Sequence, residues 1–392
     1  MNDNRLYKGK KILLVDGSTR QVLPLMKSFH DLGCFVATYN SSRFDMGYAS
    51  RYPDKKVLSY CSNYDEKKTY HSILNELKTE KYDLVIPTND FIATILSVNK
   101  SELSTYAYIC VNNWDIFQIA IDKLKTMNVC MANNIPSPIT ACEENDLSVI
   151  DKYDLKFPIV VKPRISYAAI GFSVVNNMNE LKSIFAAVSK KFGGALFQEF
   201  IPQTKKQYNA QLYIDRNGEM KSAIVYTKIR WYPVTGGSST LNVTIDRPDI
   251  LENCRKLLKA IDYKGYAEIE AIDDPRDNVA KLMEINPRVT GSLKICFLAG
   301  VNFSEQFLQD ALDLPVTNYL EYKKDVYLRF RHTDILWFIK SKDRFKTNPS
   351  WFRHMFVKDQ IFSFNDIIPF FAYTFTGLKK FCGESKRRSL YS

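Results

Sequence analysis

The sequence predicts a chain of α/β and α+β class. An N-terminal doubly wound parallel-sheet domain is followed by a region of mixed strands and helices and by a C-terminal aromatic and basic extension. The first hundred residues alternate short apolar runs with amphipathic stretches, which is the spacing of a parallel sheet with helical crossovers. From about residue 208 the strands follow one another in pairs, and the stretch from about residue 317 is rich in Tyr, Phe, Trp, Lys and Arg.

Composition narrows the functional classes. The chain has 392 residues, a net charge of +11, eight cysteines at irregular spacings and four histidines. No C-x-x-C pair occurs, so a zinc site or a disulfide framework is not expected. Lysines are spread along the whole chain, which favours a solvated basic surface over a nucleic-acid interface. The N-terminus lacks a signal-peptide pattern and no apolar run has membrane-spanning length, so we expect a cytoplasmic protein.

The N-terminal sheet is predicted from a series of short apolar runs, bounded by Gly, Asp or Asn. These runs are "KILLVD" (11–16), "CFVATY" (34–39), "KVLSY" (56–60), "YDLVIP" (82–87) and "YAYICVN" (106–112). Ligands of parallel sheets gather at the carboxyl ends of strands, where "VDGST" and "PTND" stand here. No G-x-G-x-x-G follows the first strand, so a dinucleotide site is not indicated.

The second region has its own order of elements. One helix is expected over "WDIFQIAIDKLKTMN" (114–128), and buried strands over "FPIVVKP" (157–163) and "ALFQEFI" (195–201). "NNMNELKSIFAAVSKKFGG" predicts an Asn-capped helix that ends at glycine. Residues 208–246 predict a hairpin that ends in the loop "TGGSST" (235–240). A capped helix, "PDILENCRKLLKAI", then leads to the strand pair "GYAEIEAID" and "AKLMEINPR".

That last strand pair carries the strongest chemical signal. In "KLMEINPRVTGS" (281–292), Glu284, Asn286 and Arg288 alternate, so they leave a strand on one face. Glu268 and Glu270 share a face of the preceding strand. Carboxylates in apolar strands are costly unless a cation compensates them, and oxygen ligands of this kind suit magnesium. Because magnesium shares itself with phosphates, the row predicts a nucleoside triphosphate; the alternative is a solvated acidic face.

A triphosphate also needs positive charge. Lys123 lies in "IDKLKT", Lys162 ends the strand "VVKP", and Lys228 and Arg230 of "TKIRW" are expected on one strand face. Each alone is more typical of a surface cation, so their order along the chain carries the prediction.

Taken in order, "IDK", "FPIVVKPRISYAAIGFSVV", "LFQEFIP", "GYAEIEAID" and "KLMEINPR" resemble the ATP-grasp superfamily over roughly residues 80–315. The run E-I-N-P-R, with Gly-Ser and "LAGVNF" after it, is most similar to the carbamoyl-phosphate-synthase-like branch, which includes ligases of polysaccharide gene clusters. The resemblance implies a pre-ATP-grasp domain (1–113), an ATP-grasp domain (114–316, with subdomains 114–200 and 201–316) and the extension (317–392).

The resemblance also implies roles for individual residues. The ATP contacts would come from Lys123, Lys162, Gly171, Glu199, Phe200, Ile201 and Gln207. Two magnesium ions, with Mn²⁺ as an alternative, would be held by Glu270, Glu284 and Asn286. Arg288, Lys228 and Arg230 would face the transferred phosphate. Glu268 is a weaker metal candidate, and the loop "TGGSST", Arg164 and Tyr167 would line the substrate cavity. The phosphate loop "RISYAAIG" departs from the family pattern because Gly171 is its one glycine.

The implied activity is that of an ATP-dependent carboxylate–amine ligase. Magnesium and ATP would convert a small-molecule carboxylate into an acyl-phosphate, which an amine then attacks. Two alternatives stay open: a kinase of the same superfamily that phosphorylates a hydroxyl, and a nucleotide-binding regulator without turnover. The extension would contact an anionic membrane surface, or pack as a cap on the core or on a second copy in a homodimer.

Overall fold

The computed structural model describes residues 4–59, 65–142, 149–152, 154–166, 170–202, 206–234, 237–353 and 357–377. The N-terminal region is a parallel sheet in the order β3-β2-β1-β4-β5. Its strands are β1 (Lys11–Val15), β2 (Phe35–Asn40), β3 (Lys55–Leu58), β4 (Leu84–Pro87) and β5 (Tyr108–Ile109). Its helices are α1 (Val22–Asp31), α2 (Met46–Ala49), α3 (Glu66–Thr79), α4 (Asp90–Val98) and α5 (Lys100–Leu103), after a 3₁₀ turn at Asn4–Leu6.

This order confirms the predicted doubly wound sheet and locates its switch point. The chain leaves β1 toward β2 on one side and later returns to β4 on the other. The loops after β1 and β4 therefore diverge and open a crevice at the carboxyl ends of these strands. Residues 16–20 and 88–90 form this crevice.

The second region begins with two helices where the sequence predicted one. These are α6 (Trp114–Ile121) and α7 (Lys123–Ala132). Between them Asp122 has φ −91° and ψ 107°, and its side chain accepts hydrogen bonds from the amides of Leu124 and Lys125. The apolar residues keep a helical spacing through this point. The Asp122 side chain nevertheless caps a new helix, so α6 ends and α7 begins there. Lys123 therefore lies in the first turn of α7.

A small antiparallel sheet of order β6-β9-β7-β8 follows. Its elements are β6 (Thr140–Ala141), α8 (Val149–Lys152), β7 (Ile159–Pro163), β8 (Ser173–Val175), α9 (Met178–Phe192) and β9 (Ala195–Glu199). The predicted caps of α9 are confirmed. Asn177 accepts from the Glu180 amide, and Gly193 ends the helix at φ 73°, a conformation that glycine adopts without strain.

A larger sheet has the order β14-β13-β10-β11-β12-β15. Its strands are β10 (Gln207–Ile214), β11 (Met220–Tyr232), β12 (Ser238–Ile245), β13 (Gly265–Asp274), β14 (Val279–Asn286) and β15 (Tyr327–Arg329). The remaining helices are α10 (Pro248–Ala260), α11 (Lys294–Ala299), α12 (Phe303–Ala311), α13 (Arg331–Lys340) and a helix over residues 368–377.

The predicted loop "TGGSST" needs a correction. Residues 235 and 236 lie outside the described residues, and Ser238–Thr240 already belong to β12. Ser239 and Thr240 are buried, and the Thr240 hydroxyl donates to Asp334 at 2.8 Å. The Thr240 hydroxyl therefore serves the packing of the extension, and the Ser239 hydroxyl bonds to the carbonyls of Arg230 and Leu241 within the sheet. The substrate contact expected of the loop stays a prediction.

The N-terminal region packs against the larger sheet through one continuous apolar core. Val22, Leu25 and Phe29 of α1 belong to the same buried cluster as Tyr213 of β10 and Phe307 of α12. Each such side chain contributes about 1.5–3 kcal/mol when it is fully buried. The crevice of the parallel sheet is therefore held over the edge of the larger sheet where β14 ends.

The extension is joined to this body at the far edge of the larger sheet. β15 pairs with β12, so residues from the predicted extension complete that sheet. Within the described residues no helix is both long and apolar enough to cross a membrane. Membrane contact, a homodimer and the domain boundaries stay predictions.

Candidate active site

The acidic row predicted from the sequence is assembled by strand pairing. β13 and β14 are antiparallel, with Glu270 opposite Glu284 and Glu268 opposite Asn286. Directly opposite residues of an antiparallel pair have Cβ atoms about 4.5–5.5 Å apart. Two carboxylates at that separation repel each other unless positive charge lies close by.

Two lysines supply that charge from different elements. Nζ of Lys228, on β11, lies 3.1 Å from Oε2 of Glu270. Nζ of Lys123, at the start of α7, lies 3.4 Å from Oε2 of Glu284 and donates to the carbonyl of Ser166 at 2.7 Å. Burial would lower the pKa of Lys228, but Glu270 outweighs that effect and raises it. Burial likewise acts to raise the pKa of Glu270, but the charge and the hydrogen bond of Lys228 lower it.

Lys162, the third predicted phosphate lysine, is buried on β7. Burial lowers the pKa of Lys162 to about 8, and the charge of Lys123 adds to the shift, while Glu284 and Glu270 oppose it. Because the nearby carboxylates offset the burial of this ammonium group only in part, Lys162 favours the binding of an anion.

A half-buried ion pair sets the relative position of Lys123 and Lys162. Arg164 donates to Asp122 through Nε at 3.1 Å and Nη2 at 2.5 Å. The amide of Lys123 also donates to the carbonyl of Arg164 at 3.0 Å. The N-cap of α7 is therefore fastened to the residue that follows β7. Arg164 serves this pairing, and Tyr167, its predicted companion, lies outside the described residues.

Arg288 connects the acidic row to the N-terminal region. Its Nε and Nη2 atoms donate to the two carboxylate oxygens of Asp90 at 2.9 and 2.8 Å, and Nη2 lies 3.5 Å from Oδ1 of Asn286. Asp90 opens α4 in the crevice of the parallel sheet. Sequence reasoning missed Asp90 because its partner lies 198 positions away.

The predicted adenine hinge lies at the end of β9. The Glu199 carboxylate accepts from the Ile139 amide at 3.1 Å and pairs with Arg276. Phe200 is half-buried and Ile201 is buried. Gln207 opens β10, and its carbonyl accepts from Thr227 at 2.9 Å. The Glu199 side chain is thus engaged within the protein, and the adenine and ribose contacts stay predictions.

Gly171 is needed for close packing. It has φ 79°, and a Cβ atom there would lie 2.7 Å from Pro163 and 2.8 Å from Phe192. The turn that leads into β8 can thus lie against the end of β7. A direct contact of Gly171 with phosphate stays a prediction.

Arg230 requires a correction, because the structure separates it from Lys228. The pairing of β11 with β12 shifts between Lys228 and Arg230, and again between Arg230 and Trp231. A bulge breaks the alternation of faces on which the sequence argument depended. Arg230 is buried and binds Asp334 of α13 at 2.9 and 3.0 Å. It lies over Trp337, so it stabilises the extension instead of facing phosphate.

Two buried polar residues complete the description of the row. Glu268 accepts from Tyr226 at 2.6 Å, Thr290 at 2.7 Å and Gln211 at 3.0 Å. Burial, together with the charge of Glu270, raises the pKa of Glu268. Because hydroxyl and amide donors already satisfy its Oε2 atom, Glu268 is a poorer metal ligand than Glu270.

Asn209 was missed by the sequence argument. It lies on β10 directly opposite Glu270 and is buried. Its Oδ1 atom has no hydrogen-bond partner in the described part of the chain. An unpaired oxygen beside Glu270 fits a hard cation, as do the oxygens of Glu284 and Asn286. The two amide side chains, Asn209 and Gln211, in the otherwise largely apolar run "YNAQLYI" were the available signal. Within the same described residues no group of three or more His, Cys, Asp or Glu side chains is placed to hold a metal.

A cavity lies beside the acidic row at β14. Its volume is about 250 Å³, and it is lined by Lys123, Glu284, Asn286 and, from the N-terminal region, Asp90. A much larger cavity, about 1110 Å³, lies between α1, α11 and the extension and is lined by none of the predicted ATP or metal residues. Geometry therefore favours the smaller cavity as the place of chemistry.

Family models agree with this arrangement. A RimK-like ATP-grasp domain matches residues 120–217, and the model described as ATP-grasp in the biosynthetic pathway with Ter operon matches residues 214–333. Together they span both antiparallel sheets and the acidic row. This chain belongs to the ATP-grasp superfamily. The narrower branch suggested by the E-I-N-P-R run stays a prediction.

Individual relatives are distant. The chain is 23% identical to a D-aspartate ligase of Enterococcus faecium over 78% of each sequence. It is 26% identical to a D-alanine–D-alanine ligase of Carboxydothermus hydrogenoformans over 43% of this chain and 59% of the relative.

Solved structures share the fold at still lower identity. A biotin carboxylase of Campylobacter jejuni superposes with a TM-score of 0.68 at 15% identity, over 82% of this chain and 75% of that one. An L-amino acid ligase of Bacillus licheniformis gives a TM-score of 0.60 at 17% identity, over 78% and 74%. The predicted ATP-grasp fold, including its N-terminal parallel sheet, is thereby confirmed.

Proposed function

We propose that this protein is an ATP-dependent carboxylate–amine ligase whose acid substrate is an amino acid. One observation carries the proposal: Lys123, Lys162 and Lys228, from three separate elements, converge on the opposed carboxylates of Glu270 and Glu284. The names of the D-aspartate ligase and the L-amino acid ligase support the substrate class.

The division of labour follows from charge. Lys162 attracts the phosphates of ATP because it is buried and short of compensation, and Lys123 adds a second positive charge beside Glu284. Lys228 neutralises charge on the transferred phosphoryl group, and Arg288 holds the end of β14 in place through Asp90. Glu270, Glu284, Asn286 and Asn209 would hold magnesium, which supplies a Lewis acid for the phosphate oxygens when it is bound.

The proposed reaction needs no covalent group from the protein. A carboxylate oxygen of the substrate bonds to the γ-phosphorus as the bond to the ADP oxygen breaks. The amine then attacks the acyl carbon, inorganic phosphate leaves, and the amine loses a proton. The side chains bring two anions together and screen their repulsion.

Hydroxylamine trapping tests this proposal. The purified chain is incubated with magnesium, ATP, hydroxylamine and one amino acid at a time, and ADP and hydroxamate are measured together. We expect equal amounts of the two products with at least one acid, and neither without acid. ADP with a phosphorylated alcohol and no hydroxamate would indicate a kinase, and tight ATP binding without ADP would indicate a regulator.

A further inference from the structure

A third cavity, of about 320 Å³, occupies the crevice of the parallel sheet. Its walls come from several distant parts of the chain. Ser18, Thr19 and Arg20 follow β1, Asp90 and Arg288 form the ion pair described above, and Tyr373 reaches in from the helix over residues 368–377. The volume is at the small end of the range for ligand sites, so it suits a small metabolite.

The charges in this cavity do not balance. Arg288 is matched by Asp90. The guanidinium of Arg20 lies over the ring of Phe330, 4.2 Å from its centroid, and no carboxylate in the described part of the chain is within ion-pair distance of it. Its Nε atom is buried without a hydrogen-bond partner. Arg20 as a residue is half-buried, and no carboxylate in the described residues contacts its guanidinium, so an anion bound in the cavity would supply the missing counter-charge.

The cavity adjoins the acidic row. Asp90 lines both this cavity and the one that contains Lys123, Glu284 and Asn286. A single small molecule can therefore present one anionic group to the phosphate-binding lysines and another to Arg20.

We propose that Arg20 binds a second, non-reacting carboxylate of the acid substrate, which makes that substrate a small dicarboxylate. This assignment rests on the proposed ligase function. One carboxylate enters the reaction, and the other accepts paired hydrogen bonds from the fork of Arg20, a geometry that guanidinium groups favour.

A substitution at Gly291 can change the position of the Arg20 guanidinium without altering Arg20 itself. A Cβ atom at this position would lie 2.5 Å from Nε and 2.6 Å from Nη2 of Arg20. A side chain there must push the guanidinium away. Gly291→Ala therefore moves the positive charge without removing it.

The first measurement is steady-state ADP release by full-length variants with aspartate, glutamate and succinate, and with alanine as a monocarboxylate. Charged hydrogen bonds contribute about 1.5–3 kcal/mol, so Arg20→Gln should raise KM for the dicarboxylate at least about tenfold. KM for ATP should stay within about twofold. Arg20→Lys should restore part of the loss, and Gly291→Ala should behave like Arg20→Gln. Arg43→Gln, which removes an exposed arginine of the same region, is the matched control.

The second measurement is calorimetric binding of succinate, which does not depend on turnover. Loss of succinate affinity in Arg20→Gln, with unchanged thermal unfolding, supports the proposal even if no acid yields ADP and the ligase function fails. Unchanged succinate affinity and unchanged KM for the acid overturn it. A change confined to KM for the amine also overturns it, because Arg20 would then serve the other substrate.

Discussion

Lys228 and Arg230 stand two positions apart on β11, yet they belong to two different kinds of ion pair. The side chains of Lys228 and Glu270 keep 12% and 31% of their surface exposed and meet through one contact of 3.1 Å. Arg230 and Asp334 keep 1% and 0% and meet through two hydrogen bonds. The first pair can exchange its partner for a substrate or an ion, whereas the second is closed.

The difference shows that residue type alone does not mark a phosphate site. A basic side chain beside a carboxylate is common to both pairs. What separates them is the bulge in β11, which turns Arg230 toward α13, and the second arginine, Arg329, which also binds Asp334 at 2.6 Å. Substitutions at the two pairs should therefore have opposite effects on activity and on stability.

The largest loss of activity is expected from a substitution of Glu284, which lies opposite Glu270 of the Lys228–Glu270 pair. Glu284→Gln keeps the shape of the side chain but removes its charge. Loss of several kcal/mol of charge stabilisation should lower ATP turnover about 10³-fold. Thermal unfolding should change little, because Glu284 is half-exposed. The exposed carboxylate Glu321, changed to Gln, is the control. Full activity of Glu284→Gln would remove this residue from the metal site.

A substitution in the buried Arg230–Asp334 pair should lower stability and leave activity nearly unchanged. Asp334→Ala leaves Arg230 and Arg329 buried without a counter-charge, so the free energy of unfolding should fall by about 3–5 kcal/mol. Turnover per folded molecule, measured at low temperature, should stay near that of the unchanged protein. Denaturant unfolding checks the first part, with Glu321→Ala as the matched substitution. A variant that is stable but inactive would bring Arg230 back to the reaction.

A smaller effect, a change of ATP affinity with pH, is expected from the titration of Lys162. Its pKa of about 8 lies below the ordinary 10.5, so the nucleotide-free protein loses this charge as the pH rises through 8. ATP affinity should then fall by up to about tenfold per pH unit, with proton uptake on binding. The unfolded chain holds the proton up to about pH 10.5, so this group's contribution to stability rises between these two values.

Calorimetry in buffers of different ionisation enthalpy measures the proton uptake. Lys162→Arg should bind ATP with a flat profile over about pH 7 to pH 9.5, since arginine keeps its charge. An equally flat profile in the unchanged protein would contradict the assignment.

Strand alternation predicted the parts of this site that depend on regular pairing. Glu270, Glu284 and Asn286 lie in unbroken register up to the bulge beside Glu270, so a two-residue period gave their shared face. The same rule failed for Arg230, because nothing in "TKIRW" announces the bulge. It also failed at Asp122, where a capping side chain restarts a helix within one apolar period.

Other residues were beyond any local pattern. Asp90 and Arg20 meet Arg288 and Gly291 across roughly two hundred or more positions, and only the packing of the parallel sheet against β14 brings them together. Their sequence contexts, "PTND" and "GSTRQ", look like ordinary ends of strands. Sequence reasoning could predict that a ligand lies at such ends, but not which cations face it.

Tyr373 and Ser18 line the same cavity although 355 positions separate them. Synthesis must therefore pass residue 373 before this chamber has its final wall. The residues proposed to bind nucleotide and magnesium, from Lys123 to Asn286, are all translated earlier. A nascent chain therefore contains every proposed ATP contact before the wall that would select the acid has been synthesised.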